Sequence, residues 1–382
     1  MSLVLNEDQK MLQDAAKNFC QQNAAISNLR RLRDEGDATG FDSNIWQQMI
    51  DLGWAGMAIP EAYGGFEFGY AGLGVVLEQT GRTLVSSPLI PTVLLGATAL
   101  LKLGSEEQKQ ELLPKIVSGE LLLGLALDEL PIHKPQYIAT TAKAQDGKYI
   151  INGSKTFVLD GNVADKLLVV VRTSGATSEN DGVSLLLVDR DSEGVDVQRT
   201  TMVDSRNSAK ITFNDVEVSA DALLGELGGS AADLDYVLDI ARIGLAAEML
   251  GSVQEVFERI VEFLGQREQF GVLIGSFQAL QHRAAIMYSE IELCKSVVRA
   301  ALSAADNSAS DPVAIAKMAS LSQAKLCEVT ELVSNEGVQM HGGIGMTDEF
   351  DIGFFLKRAR VAQQFLGDST FHRDRYATLN DF

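Results

Sequence analysis

The chain has 382 residues, of which 46% are hydrophobic and 22% charged. Lysine and arginine number 32 against 52 acidic residues, so the net charge is −20. A chain of this length is too long for one ordinary domain and can bury a large core. Such an acidic balance argues against nucleic acid as a partner.

Signals for targeting, disulfides and metals are weak. The N-terminus reads MSLVLNEDQ, without the basic and then apolar pattern of a signal peptide, and no apolar run could span a bilayer without charges. We therefore expect a cytoplasmic location and no membrane insertion. The scattered cysteines Cys20, Cys294 and Cys327 have no CxxC spacing, so neither a disulfide framework nor a metal site is predicted.

The first hundred or so residues predict helices. Residues 6–9 (NEDQ) can form a capping box before a run of apolar residues at helical spacing. Residues 54–65 interrupt the pattern with Pro60 and a glycine pair, and an apolar helix resumes over 70–83. The first domain is placed at residues 1–120.

Residues 121–225 predict a compact β domain. Short β-rich runs lie at 121–127, 149–151, 155–159, 167–171, 183–188 and 209–213. The dipeptides Asp146-Gly147 and Asn152-Gly153 bracket one of these runs and predict two tight hairpin turns.

The third domain, residues 226–382, returns to helical periodicity. Long helices are predicted over 231–267, 276–305 and 312–338, the last of which begins with Pro312. Helices, then strands, then helices predict an α+β fold.

Two motifs in the last third carry a family resemblance. Residues 267–278 read REQFGVLIGSFQ, and residues 339–345 read QMHGGIG. Together they resemble acyl-CoA dehydrogenases, and the resemblance covers essentially the whole chain. It implies an N-terminal α-helical domain, a middle β-barrel-like domain and a C-terminal four-helix bundle, with FAD as the cofactor.

The resemblance also assigns cofactor contacts. Arg267 is expected at the FAD diphosphate, Phe270 on the ring system and Gln278 near the adenosine. The remaining implied contacts are Gln339, Gly342, Gly343 and Asp368. Glycine suits a close backbone approach to phosphate because it has no Cβ. Each residue alone also fits a plain structural role, whereas their joint order and spacing favour FAD.

The catalytic base of the family is missing from its usual position. Where members usually show YEGT, residues 365–368 read FLGD, so Leu366 replaces the glutamate, as in bacterial members that lack this C-terminal base. By resemblance, the Leu366 N–H still polarises a thioester carbonyl, and Arg242 and Leu366 are assigned to substrate binding. Some relatives place the base immediately before the residue that resembles Arg242, but here that residue is Ala241.

Glu248 is the predicted replacement base. It lies seven residues after Ala241 among apolar neighbours, and an unpaired carboxylate in such surroundings has a raised pKa. The alternative is a structural Glu248 paired with a buried arginine or with a residue of a neighbouring subunit. Asp368 is a second candidate base, and the remaining readings are another residue as base or no base at all.

The β domain departs from the family pattern. A Thr-Glu-Pro-Gly loop becomes LDELP at residues 127–131, and Trp-Ile-Thr-Asn-Gly becomes FVLDG at residues 157–161. Leu159 therefore replaces a hydroxyl expected near the flavin N5.

The implied reaction is α,β-desaturation of an acyl-CoA thioester, with hydride transfer to flavin N5 and electrons passed to an electron-transferring flavoprotein. Fatty or steroid-like acyl groups are both open. Because Arg267 and Gln339 act on a neighbouring subunit's FAD in the family, a homo-oligomer, dimer or tetramer, is expected. Two alternatives stand: a non-catalytic subunit that completes the FAD site of a hetero-oligomeric enzyme, and a related flavin oxidase or monooxygenase.

Overall fold

The computed structural model describes residues 4–308 and 311–382. The chain divides into two compact units. The first contains the residues up to Arg31, Tyr70–Val85 and Arg242–Phe382; the second contains Leu32–Gly69 and Ser86–Ala241. The predicted boundaries at 120 and 225 therefore stay a prediction. Among the described helices, none has the length and apolar character needed to cross a membrane.

The N-terminal part is helical. The elements in chain order are α1 (Glu7–Asn23), α2 (Ile26–Asp34), α3 (Ser43–Asp51), α4 (Gly69–Arg82), a π-helical segment (Leu89–Ala97), α5 (Thr98–Leu103) and α6 (Glu106–Val117). The predicted capping box of α1 is confirmed, because Asn6 accepts from the N–H of Gln9 at 2.8 Å and Gln9 returns a contact to the N–H of Asn6.

Eight strands of the second unit form one sheet. They are β1 (Leu123–Ala126), β2 (Thr141–Gln145), β3 (Lys148–Leu159), β4 (Lys166–Arg172), β5 (Val183–Asp189), β6 (Val195–Thr201), β7 (Asn207–Ser219) and β8 (Leu223–Leu224). Their order is β6-β7-β3-β2-β4-β5-β8, and β1 pairs in parallel with β4. A core that includes Ile151, Leu167 and Phe213 lies against this sheet.

One predicted hairpin turn is confirmed and one is wrong. Asp146 and Gly147 have φ of +50° and +76° and join β2 to β3. Asn152-Gly153 makes no turn, because β3 continues through it and pairs with β7 across an irregularity in register. A Cβ on Gly153 would lie 2.5 Å from Oγ1 of Thr140, so the glycine serves a close approach of two chain segments.

The remaining elements are α7 (Ala231–Gln266), β9 (Glu268–Gln269), β10 (Val272–Leu273), α8 (Gln278–Asn307), α9 (Pro312–His341), α10 (Ile352–Ala362) and α11 (Ser369–Thr378). The three long helices predicted here are confirmed. Within the first unit, α4 and α7 approach closely at two glycines: a Cβ on Gly81 would lie 2.0 Å from the Glu248 carbonyl oxygen, and one on Gly251 would lie 1.7 Å from that of Glu78. This contact fixes the middle of α7 in the helical core.

Candidate active site

The end of α7 leads into a short hairpin that presents an aromatic residue. Strands β9 and β10 pair across Phe270 and Gly271, whose φ values are +57° and +78°. Phe270 is 93% exposed, and its ring contacts Phe277 edge-on at 6.3 Å between centroids. Arg267 precedes the hairpin and its side chain is exposed.

The end of α9 lies beside the end of α7. The buried imidazole of His341 packs against the ring of Phe263, with 4.5 Å between the ring centroids. Phe263 lies one helical turn before Arg267. Gln339 is exposed, and α9 ends at Gly342, whose φ is +62°. The two motifs predicted to contact FAD are therefore close together at one end of the first unit.

These residues fit an anionic cofactor. Arg267, Gln278 and Gln339 have exposed polar side chains. No described residue makes a hydrogen bond or ion pair with any of these side chains. A Cβ built on Gly342 or Gly343 would meet nothing within 4 Å, so the backbone there faces open space. A guanidinium, two amides and bare backbone suit the diphosphate and adenosine of FAD.

The Glu248 carboxylate is paired, contrary to the prediction that it is unpaired. It is 3% exposed, and its Oε1 accepts from Nε and Nη2 of Arg358 on α10 at 3.0 and 2.8 Å. Arg358 is itself 5% exposed. The expectation of an unpaired carboxylate is wrong. A carboxylate bonded to a buried guanidinium is fixed in place, so the proposal of Glu248 as the base loses its structural support.

The turn that replaces the usual base is packed against α7. Leu366 is 3% exposed with φ +62°, and its carbonyl oxygen accepts from Nε of Arg242 at 3.1 Å. Arg242, predicted to bind substrate, is thus placed on the backbone of the other predicted substrate residue. Asp368 caps α11 by accepting from the N–H of Phe371 at 2.8 Å, a structural role that sequence reasoning did not assign to it.

The loop of residues 128–140 in the second unit, which differs from the family pattern, is held together by Glu129. Glu129 accepts from Nζ of Lys155 at 2.7 Å and from the N–H groups of Ala139 and Thr140 at 2.8 and 2.9 Å. Lys155 is fully buried, and desolvation lowers its pKa to about 8 against the opposing pull of Glu129. These groups are committed to holding residues 128–140 together, and the Leu159 side chain cannot supply a hydroxyl.

Two further side chains, His372 and Arg358, contribute to the site. His372 is fully buried, and its Nε2 contacts the Leu366 carbonyl oxygen at 3.0 Å. Arg358 neutralises Glu248 from 110 residues away. No spacing rule predicts either contact. Among the described residues, no group of three His, Cys, Asp or Glu side chains could hold a metal ion.

Three domain models of one protein family match most of the chain. The N-terminal, middle and C-terminal domains of acyl-CoA dehydrogenases match residues 6–120, 134–216 and 231–378. The mitochondrial 2-methylacyl-CoA dehydrogenase of Solanum tuberosum is 29% identical over 97% of this chain and 90% of its own length.

Two solved structures are similar over nearly the full length of both chains. One, titled as the electron transferring flavoprotein of Acidaminococcus fermentans, has a TM-score of 0.89 at 28% identity and covers 99% of this chain and 98% of that one. The other, a variant of the Tcur3481-Tcur3483 steroid ACAD, has a TM-score of 0.87 at 30% identity and covers 98% of each. The chain belongs to the acyl-CoA dehydrogenase family, whose members are flavoprotein oxidoreductases.

Proposed function

We propose that this chain works in the α,β-desaturation of an acyl-CoA thioester with FAD. A base removes the α proton, the β hydrogen leaves with its electron pair, and the product is the enoyl thioester. FAD supplies the hydride acceptor, which no side chain can replace. An electron-transferring flavoprotein then takes the two electrons, a proposal supported by the similarity to the solved structure of the Acidaminococcus fermentans electron transferring flavoprotein.

The observation that carries this proposal is the set of exposed residues in the hairpin after α7, at the start of α8 and at the end of α9. Arg267 would pair with the diphosphate, Phe270 would lie on the ring system, and Gln278 would reach the adenosine. Gln339, Gly342 and Gly343 would line the phosphate from the backbone side. We propose that these exposed groups serve a cofactor held together with a neighbouring subunit, as the family resemblance implies.

An exposed apolar surface supports an oligomer. It is made up of exposed apolar side chains on the hairpin and along α8, namely Phe270, Val272, Leu273, Phe277, Ile286 and Leu293, whose exposed fractions run from 38% to 93%. Large exposed apolar side chains in such number are typical of protein interfaces. We therefore propose a dimer or tetramer in which this surface is covered.

A second candidate function is favoured by two observations. Leu366 cannot accept a proton, and Glu248 is paired with Arg358, so neither predicted position offers a free base. The chain would then be the subunit that completes the FAD site on a partner chain of a hetero-oligomer, and the partner would carry the base. The similar steroid ACAD, named by two components, supports this arrangement and a bulky, ring-bearing acyl group.

Isolation of the chain alone and together with any co-purifying partner separates these readings. Flavin is quantified per chain, and a panel of straight-chain, branched and steroid-derived acyl-CoAs is added without oxygen while flavin bleaching is followed. Bleaching by a single-chain oligomer supports the first reading, and bleaching only with a partner supports the second. Rapid air reoxidation of the reduced flavin indicates an oxidase, and failure of every thioester to bleach either preparation contradicts the proposal.

A further inference from the structure

The Phe365–Asp368 turn holds Leu366 in a backbone conformation that leucine rarely adopts. Its φ of +62° lies in the left-handed region, and Gly367 follows at +109°. A non-glycine residue persists there only when its surroundings enforce the conformation, and such residues cluster at functional sites. The contacts around Leu366 identify the side chains that hold this backbone conformation in place.

Two fully buried side chains hold the Leu366 carbonyl. Nε of Arg242 donates to it at 3.1 Å, and Nε2 of His372 lies 3.0 Å away. A carbonyl oxygen can only accept, so Nε2 of His372 carries the proton in this contact. The two donors come from different helices, α7 and α11, and together they fix the orientation of the peptide.

Packing removes the room for the turn to relax. A Cβ on Gly367 would lie 2.5 Å from Cδ1 of Phe371 and 2.9 Å from Nε2 of His372. The Arg242 guanidinium lies 5.4 Å from the Phe371 ring centroid, and the Phe371 and His372 rings meet edge-to-face at 5.0 Å. The carbonyl side of Leu366 is thus rigidly held.

The N–H of Leu366, unlike its carbonyl, has no hydrogen-bond partner among the described residues, although Leu366 is buried. Buried backbone donors without an acceptor are rare in proteins, so this N–H is available to an oxygen that arrives with a ligand. A donor fixed before the ligand arrives stabilises developing negative charge on that oxygen.

We propose that Arg242 and His372 are positioning residues that aim the Leu366 N–H at the thioester carbonyl oxygen. This inference rests on the proposed function, because the thioester is the oxygen-bearing ligand. Neither side chain touches the thioester; each acts through the Leu366 carbonyl. Loss of the family's carboxylate at this position removes a proton acceptor and leaves the donor in place.

Carbonyl polarisation can be measured without turnover. The FAD-loaded protein, in the assembly in which it is isolated, binds crotonyl-CoA or cinnamoyl-CoA labelled with ¹³C at the thioester carbonyl, and infrared difference spectra report the carbonyl stretch. The unmodified protein lowers this frequency. In His372→Leu we expect less than half of the shift and about tenfold weaker binding, the scale of one lost hydrogen bond. His372→Gln, whose amide can donate, retains most of the shift.

Two comparisons exclude a general loss of structure. Arg373→Leu replaces the adjacent, exposed side chain on α11 and leaves the shift unchanged. Leu366→Gly makes the left-handed conformation unstrained, so His372→Leu costs less of the shift in that background than in the original chain.

An undiminished shift in His372→Leu, or an equal loss in both backgrounds, overturns the positioning role while leaving the proposed function standing. If the unmodified protein shifts neither thioester, the proposed function and the inference fail together. The two failures are therefore distinguished by the behaviour of the unmodified protein.

Discussion

The middle and the end of helix α7 treat charged side chains in opposite ways. In the middle, Arg242 and Glu248 are buried and both are bonded, one to the Leu366 carbonyl and the other to Arg358. At the end, Arg267 is exposed and no described residue bonds to its side chain. A buried charge in this chain is bonded within the fold, where loss of its partner is costly, whereas an exposed charged side chain without a bonded residue is available to a ligand.

The largest expected effect comes from breaking the buried pair. Glu248→Gln removes the carboxylate that pairs with buried Arg358 and should lower the free energy of unfolding by about 3–5 kcal/mol. The denaturant midpoint reports the loss. Glu331→Gln removes the partner of Arg360 in an exposed ion pair and should cost at most about 1 kcal/mol. Equal effects of the two substitutions would contradict a structural role for Glu248.

The next effect concerns the exposed end of α7. Arg267→Gln should leave the denaturant midpoint unchanged and weaken FAD binding by roughly 10- to 150-fold, because a charge-assisted contact contributes about 1.5–3 kcal/mol. Fluorescence titration of the flavin-stripped protein measures the affinity. Arg373→Gln is the matched control at another exposed arginine. Unchanged affinity in Arg267→Gln would remove this residue from the cofactor site.

A smaller effect distinguishes the two roles considered for Asp368. Asp368→Ala removes the N-cap of α11 and should cost about 1 kcal/mol of stability, whereas Asp368→Asn keeps the cap and should cost far less. Thermal unfolding of both variants checks this. If Asp368→Asn is as stable as the unmodified chain but has lost thioester-induced flavin bleaching, Asp368 is the base and not a cap alone.

The smallest effect depends on pH and concerns His341 at the end of α9. Burial lowers the pKa of His341, and the nearby Arg259 adds to the decrease. Because the unfolded chain binds this proton more readily, the contribution of His341 to stability is complete above the ordinary pKa of histidine and is lost as the pH falls through the lowered value. His341→Gln should therefore weaken the decline of Tm between pH 7.5 and pH 5. An identical decline in both proteins would contradict this.

Much of the fold could be predicted from sequence because its signals are local. The capping box at Asn6 and the Asp146-Gly147 turn depend on residues within a few positions of each other. Asn152-Gly153 reads as the same kind of turn, but its glycine is required by the approach of Thr140, a contact between distant residues. Strand β6 escaped prediction because most of its residues are exposed and polar.

In the candidate site, too, local features could be predicted from the sequence and contacts between distant residues could not. The exposed motif residues were predictable because their type and order are sufficient to indicate a cofactor. The state of Glu248 was not, since an apolar neighbourhood along α7 fits both a free carboxylate and a buried pair, and the deciding residue lies on α10. The contact of His372 with Leu366 likewise depends on the left-handed backbone conformation at Leu366. A leucine in the sequence does not predict that conformation.

Flavin bleaching by a thioester, measured anaerobically in the Glu248→Gln/Arg358→Met double variant, decides whether the middle of α7 is structural. Both charges of the pair are removed together, so the variant should fold, and in the assembly that reacts with the thioester we predict a bleaching rate within about threefold of the unmodified protein. A folded, FAD-loaded double variant that bleaches about 10³-fold more slowly would show that Glu248 is the base after all.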